Sequence, residues 1–373
     1  MSISSISSGS TVIGAPYPVA NQAPVVQTPL QATEASGQTA VSPTAPLNIQ
    51  PLPSTTPIGT PVWETSNADP VSQVMGGDFL ANTQSGRFAG LGAALLNRFK
   101  TTTDNFSQWE TIPSPTAGQP TSKTSGMPTF DSSISGNIVL NVTTDSGVKV
   151  EVNISSQGDL AVQETASGSL SNKEQLALAG LAKGFQAAID GMTASTPTID
   201  VSGLMQFDPA VLSSVDLSVQ LQPTSLPMTL DFQADSSHRS INATLPDGSV
   251  GINVNLTNPA VIGTAAQQSK ALANYLQQFS QEEGRDPNTS DDATLMKMFT
   301  DGFTQLNSNY PPANPLAFNN NPTVRTTQDH AMLTGLADFQ ATVTVFPTSP
   351  NPLKLDEVDH FTYEASQITS ISG

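Results

Sequence analysis

The feature that most constrains this chain is an alternation of apolar residues with mostly polar ones between Ile138 and Ile154. Asp145-Ser146-Gly147 interrupts the alternation near its middle. Period-two alternation broken by turn-forming residues is typical of an antiparallel hairpin with one buried face. Gln157-Gly158 predicts a further turn, into a short third strand at Leu160–Gln163.

A capped helix is predicted directly after this strand. Ser171 and Glu174 have the spacing of a capping box, in which each side chain bonds to the backbone N–H of the other residue. Apolar residues then recur at helical spacing from Leu178 to Met192. We expect Gly191 to end the helix.

A second hairpin is predicted about a hundred residues later. Residues 241–257 resemble residues 140–155, and Asp247-Gly248 is a strong hairpin-turn signal. Both hairpins lead towards helices. Either a hairpin-helix unit is duplicated within one domain, or two amphipathic hairpins in an Asn/Thr/Val-rich chain have come to look alike.

The remaining patterns define the predicted fold class. Strands alternate at 217–221, 228–234 and 341–346, and helices are predicted at 258–283, 291–308 and around 332–339. The sequence therefore predicts an α+β fold, with an antiparallel β-sheet covered on one face by amphipathic helices and preceded by a disordered N-terminal region. The predicted segments are a disordered Ser/Pro/Gln-rich region at 1–67, a short helical segment at 68–110, a linker at 111–130, the α+β domain at 131–348, and a polar tail at 349–373.

The N-terminal block contains no lysine or arginine before Arg87, and prolines recur from Pro16 to Pro61. Such composition cannot support a packed core, so we expect disorder. The absence of a charged n-region argues against a Sec signal peptide. The opening ten residues are rich in serine and carry Ile3; they resemble the export signals of type III secretion substrates, of effector or flagellar type, in Gram-negative bacteria. The resemblance implies secretion by a non-Sec route and a secretion chaperone or other protein partner; a plain disordered tail on a cytoplasmic protein is the alternative.

Composition excludes several functional classes. The formal net charge of −18, with only 13 lysines and arginines, argues against nucleic acid and anionic membrane surfaces as partners. The absence of cysteine excludes disulfides, thiolate metal sites and cysteine nucleophiles. No apolar run is long enough to predict a membrane span.

Two short motifs resemble catalytic or cofactor motifs. Gly90-Leu91-Gly92 resembles a dinucleotide-binding glycine loop. However, the preceding residues have a helical pattern where that loop requires a strand, and no βαβ alternation follows. Asp145-Ser146-Gly147 resembles the aspartic-protease motif, and Asp247 occupies the corresponding position of the second hairpin. We interpret both aspartates as turn formers.

No other cluster predicts a site. The acids and histidine of Asp356–His360 are expected to be solvated, and Asp286–Asp292 lacks the glycine and glutamate of a calcium loop. The other two histidines of the chain are His238 and His330. Five carboxylates are expected on exposed surfaces: Glu164, Glu174, Asp190, Asp216 and Asp231. We therefore assign no catalytic, cofactor-binding or metal-binding residue.

The sequence favours a non-enzymatic interaction protein, secreted or surface-directed, from a bacterium. The alternative is a cytoplasmic enzyme or small-molecule-binding protein whose site has no recognisable motif, for example a nucleotide-dependent oxidoreductase using Gly90-Leu91-Gly92.

Overall fold

A computed structural model describes residues 61–112, 135–157, 159–222, 226–283, 293–310, 333–348, 353 and 359–369. Residues 1–60 of the region predicted to be disordered, nearly all of the predicted linker, Asp286–Asp292 and His330 lie outside these residues. The expectations for them stay predictions. The end of the predicted disordered region is described, and it contains a short strand, Val62–Trp63, that pairs with Glu110 and Thr111.

One antiparallel sheet organises the molecule, with eleven strands in the order β1-β2-β5-β4-β3-β6-β7-β8-β9-β10-β11. The strands are β1 (Val62–Trp63), β2 (Phe106–Thr111), β3 (Ser135–Thr144), β4 (Lys149–Ser156), β5 (Leu160–Ala166), β6 (Leu212–Gln222), β7 (Met228–Asp235), β8 (His238–Leu245), β9 (Gly248–Asn255), β10 (Asp338–Thr348) and β11 (Asp359–Gln367).

Seven α-helices and two short 3₁₀ turns connect these strands in the described chain. The helices are α1 (Pro70–Asp78), α2 (Gln84–Arg87), α3 (Leu91–Arg98), α4 (Asn172–Gly180), α5 (Ala182–Thr193), α6 (Ala265–Glu283) and α7 (Ala293–Leu306), and the 3₁₀ turns are η1 (Ser202–Met205) and η2 (Pro259–Val261).

The apolar residues of the alternating pattern form one continuous buried layer in the structure. Cross-strand register aligns one apolar residue from each of five neighbouring strands, and all of them are buried: Leu140, Leu217, Phe232, Ile241 and Ile252. Cross-strand neighbours of this kind stabilise a sheet through direct side-chain contact. The structure confirms the α+β class and the antiparallel sheet.

Several helix contacts reach this buried layer. A Cβ added at Gly302 of α7 would lie 3.0 Å from Ile252 Cδ1, so the helix backbone approaches the sheet closely there. An aromatic cluster joins the last two helices to the last two strands: the ring centroids of Phe279 and Tyr363 are 5.5 Å apart, and those of Phe303 and Phe339 are 4.9 Å apart. Edge-to-face pairs at these distances add to the stabilisation from area burial.

The structure corrects the predictions near the C-terminus. No helix covers Phe339; β10 begins at Asp338, one residue earlier. The predicted polar tail contains β11, in which Phe361, Tyr363 and Ala365 alternate with exposed Thr362 and Glu364 and are themselves buried. Five residues of alternation between polar neighbours were too few to distinguish this strand from a tail.

Differences also occur upstream. The single helix predicted from Ser171 to Met192 is two helices that meet at Leu181, and the second continues past Gly191 to Thr193. The predicted helical segment at 68–110 contains three helices and most of β2, which pairs with β5. This segment is therefore part of the same sheet as the rest of the body.

The two similar hairpins occupy corresponding places in the sheet. β3–β4 lies on one side of the central pair β6–β7, and β8–β9 lies on the other side, running in the opposite direction. A twofold axis perpendicular to the sheet between β6 and β7 would exchange their positions in this order. The connections differ, because β5 follows the first hairpin whereas η2 and α6 follow the second. Duplication stays a prediction.

Candidate interaction surface

The residues that alternate with the buried layer form a broad surface that we call the polar face. Its rows follow from the strand register, and most of its side chains are exposed or half-buried. One row contains Asn141, Asp216, Gln233, Ser240 and Asn253; the next contains Ser218, Asp231, Asn242, Gly251 and Thr342; the third contains Asn137, Gln220, Thr229, Thr244 and Ser249.

Sheet geometry fixes the spacing of these groups. Neighbouring strands lie about 4.8 Å apart, and successive residues on one face of a strand lie about 6.7 Å apart. The polar face is therefore a regular array of hydroxyl, amide and carboxylate groups held by a rigid backbone. Such an array suits contact with an extended surface better than enclosure of a small molecule.

The charge on this face is strongly unbalanced. Glu151, Asp231 and Glu364 are exposed on it, and Asp216 is half-buried. Lys149 is the one lysine or arginine that the described strands place there. The face is thus acidic, in keeping with the net charge of −18 for the whole chain.

The charge is most crowded around Asp216. This residue lies opposite Gln233 of β7, which places it diagonally between Asp231 and Asp235. Partial burial raises the pKa of Asp216; a hydrogen bond from the Ser214 hydroxyl, 3.2 Å from Oδ2, lowers it, and the charge of Asp235 raises it. A cation docked beside Asp216 would relieve this repulsion.

The carboxylates are nevertheless too far apart to chelate a metal ion. Across the described residues, no three histidine, aspartate or glutamate side chains converge as a metal site would require. His238 lies on the polar face with Nε2 2.9 Å from Asn253 Oδ1, and His360 belongs to β11. The acidic groups are spaced for separate partners.

The aspartates of the two hairpin turns do not form a catalytic pair. Asp145 follows β3 and Asp247 follows β8, and these strands run in opposite directions within the sheet. The two turns therefore lie at opposite ends of the sheet. An aspartic dyad needs the two carboxyl groups in contact.

The glycine-rich motif is also accounted for by local structure. Gly90 is the N-cap of α3, with φ of 71°, and it follows α2 rather than a strand. The backbone N–H groups of Gly92 and Ala93 donate to Gln186 Oε1 at 2.9 and 3.3 Å. Gln186 thus occupies the position where a pyrophosphate would have to bind.

The other candidate carboxylates are dispersed. Glu164 and Glu174, expected from the sequence on exposed surfaces, are both buried, because Glu164 pairs with Arg98 Nε at 3.3 Å and Glu174 is held by serine hydrogen bonds. Glu174 belongs to the capping box of α4, and Asp190 accepts a hydrogen bond from Gln186. None of them adjoins another candidate in a way that would serve acid–base chemistry.

Sequence reasoning missed a buried polar group, Glu110 of β2, which is only 3% exposed. Burial raises its pKa to about 7, and its Oε2 makes no hydrogen bond to the described residues. The alternation of β2 could have placed it on the buried face had the strand been recognised. No hydrogen bond or ion pair among the described residues joins its side chain to a nucleophile or a second acid, so it suggests no reaction.

A cleft of about 830 Å³ separates the ends of α5 and α7. Its described lining is rich in hydroxyl groups, including Thr83, Thr193 and Thr294, and carries one carboxylate, that of Asp247. No histidine, lysine or arginine is among these lining residues. The cleft therefore offers no acid–base pair.

Comparison with known proteins supplies no relative: no family model, curated protein or solved structure matches the chain. Within the described residues, no helix is both long enough and apolar enough to cross a membrane. Fold and surface together define an α+β protein with a wide antiparallel sheet and an acidic, polar face.

Proposed function

We propose that the protein is a non-enzymatic interaction protein that binds a basic protein surface through its polar face. The observation that carries this proposal is the array of exposed carboxylates on a rigid sheet, with Lys149 as the single lysine or arginine that the described strands place on this face. Opposite charge steers association and selects against partners of the same sign. Nucleic acids and anionic lipids would be repelled.

The proposal favours a protein over a small ligand because of geometry. The strand spacing of about 4.8 Å separates the carboxylates into individual pairing sites rather than one pocket. Lysine and arginine side chains from a partner could pair with Glu151, Asp231 and Glu364 independently. The surrounding amides and hydroxyls would satisfy the polar groups of the partner at the same time.

Export by a type III apparatus is the second part of this proposal. It rests on the serine-rich opening with Ile3 and on the absence of lysine and arginine before Arg87. Residues 1–50 fused to a reporter should direct its secretion from a Gram-negative host with an active apparatus. Equal secretion from a host that lacks the apparatus would exclude this route without affecting the binding proposal.

A selection experiment tests the binding surface. Random peptides displayed on phage are panned against the full-length chain, and we expect enrichment in lysine and arginine. The same peptides should bind the triple variant Glu151→Gln, Asp216→Asn, Asp231→Asn about tenfold more weakly, because three pairs at about 0.5 kcal/mol each amount to about 1.5 kcal/mol.

A matched control variant distinguishes an effect of the polar face from an effect of net charge alone. Asp104, Asp145 and Asp190 are exposed and lie in a loop, a turn and a helix, respectively, rather than on the polar face. The triple variant in which each becomes asparagine has the same net charge as the first variant. If both variants lose affinity equally, attraction is non-specific and the polar face is not the binding surface.

A further inference from the structure

A second site is built around Arg239, which projects from β8 into the buried layer rather than onto the polar face. The side chain is only 4% exposed. Its Nη1 donates to the carbonyl oxygens of Leu306 and Ser308 at 3.1 and 2.6 Å, and its Nη2 donates to that of Asn309 at 2.8 Å. The guanidinium group thereby caps the C-terminal end of α7, where the helix dipole favours a cation.

This arrangement leaves the positive charge without a carboxylate partner. Within the described structure, no aspartate or glutamate forms an ion pair with Arg239. The ring of Tyr310 lies beside it, with the guanidinium carbon 5.7 Å from the ring centroid. A buried cation without a counter-ion is costly. The carbonyl dipoles compensate for only part of that cost.

Within the described structure, the guanidinium group also has N–H donors that no acceptor uses. An arginine side chain carries five N–H groups, of which Nη1 has two, Nη2 has two and Nε has one. The three bonds to carbonyl groups come from Nη1 and Nη2, and Nε makes no hydrogen bond to the described residues. The side chain therefore keeps donors that can bind a carboxylate.

A cavity of about 310 Å³ adjoins this side chain. Phe207, Met205 and Tyr310 supply apolar and aromatic walls, while Gln206 and Ser236 are exposed at its border. The volume falls in the range of small-molecule sites, which combine apolar walls with a few polar groups. The cavity thus joins an unneutralised cation to walls that accept a flat apolar body.

We propose that this cavity binds a monocarboxylate with a small apolar or aromatic body, with its carboxylate paired to Arg239. The one acid of the lining, Asp235, is held by the hairpin turn: its Oδ1 accepts hydrogen bonds from Ser237 and from the His238 backbone. Its fixed negative charge disfavours phosphate, which carries more charge than a carboxylate. The proposal is independent of the function assigned to the polar face.

Benzoate is the probe that tests this site, with benzamide as its neutral counterpart of the same shape. Equilibrium dialysis of the full-length chain at constant ionic strength should give saturable binding of one benzoate per chain. Benzamide should not compete measurably, and inorganic phosphate should displace benzoate only at concentrations at least tenfold higher than benzoate itself. Binding of benzamide as tight as that of benzoate, or equal displacement by phosphate, would overturn the proposal.

Variants at the border of the cavity locate the bound molecule. Arg239 is unsuitable because its loss would release the end of α7, whereas Ser236 is exposed and makes no side-chain hydrogen bond to the described residues. Ser236→Glu should weaken benzoate binding at least tenfold by charge repulsion, and Ser236→Gln should leave it within twofold. Phe207→Leu should weaken it severalfold by removing an aromatic wall. If all three bind benzoate as the natural chain does, the ligand lies elsewhere and the assignment is wrong.

Discussion

The hydroxyl group of Ser146 donates to Glu174 Oε1 across 2.5 Å, which fastens the β3–β4 turn to the first turn of α4. Glu174 Oε2 also accepts from the backbone N–H and the hydroxyl of Ser171, each at 2.7 Å. A residue predicted only to cap a helix therefore also joins that helix to the sheet.

Removing either partner should destabilise the fold. The Ser146 and Ser171 hydrogen bonds lower the pKa of Glu174 from 4.5 to about 2, so the folded state favours its ionised form. That stabilisation is present above the unfolded pKa and is lost as the pH falls towards about 2. Glu174→Ala should lower the free energy of unfolding at pH 7 by about 1–2 kcal/mol, measured by urea denaturation. Ser236→Ala is the control, and an equal loss there would contradict this account.

Glu110 should make the protein less stable at alkaline pH. Burial raises its pKa from 4.5 to about 7, so the folded state binds more protons than the unfolded state between these values, and stability falls as the pH rises through this interval. Glu110→Gln should therefore be more stable than the natural chain at pH 8 by about 1–3 kcal/mol, and the difference should shrink towards pH 4.5.

Urea denaturation at pH 8 and pH 5 measures this effect. Asp145→Asn changes an exposed turn residue and should leave the difference between the two pH values unchanged. A Glu110→Gln variant that is less stable at pH 8 than the natural chain would contradict the raised pKa assigned to Glu110.

Two glycines in neighbouring helices should respond oppositely to alanine. A Cβ at Gly184 of α5 would lie 2.5 Å from the carbonyl carbon of Gly203 and 2.8 Å from the Leu204 nitrogen. Because backbone atoms cannot move aside cheaply, Gly184→Ala should cost about 1–3 kcal/mol. At Gly180, in the last turn of α4, a Cβ would meet nothing within 4 Å, so Gly180→Ala should stabilise by up to about 1 kcal/mol. Thermal unfolding of the two variants measures both effects. Similar changes in stability would show that η1 does not pack on α5 as closely as described.

The sequence was sufficient to predict the structure where a local pattern determines it. Alternation from Ile138 onward predicted the first hairpin, and Ser171 with Glu174 predicted the start of α4; both are observed. The composition of the polar face follows from the same alternation. Its layout does not, because β3 pairs with β6 across an intervening strand pair and two helices, and only that pairing brings Asn141 beside Asp216.

Long-range contacts explain what sequence reasoning missed. Arg239 acts on carbonyl groups nearly seventy residues away, and no local signal marks such a pairing. Tyr363 is buried because α6 and α7 supply Phe279 and Phe299 above it. A short alternating run acquires the stability of a strand only when such neighbours cover it.

The most direct test of the binding proposal is a footprint of carboxyl groups. The full-length chain is labelled with a carbodiimide and an amine, with and without a lysine-rich peptide from the selection, and modified sites are quantified by mass spectrometry. We predict at least fivefold slower labelling of Glu151, Asp231 and Glu364 in the complex, with Asp104, Asp145 and Asp190 unchanged. Equal protection of both groups, or protection confined to the second, would contradict the assignment of the polar face as the binding surface.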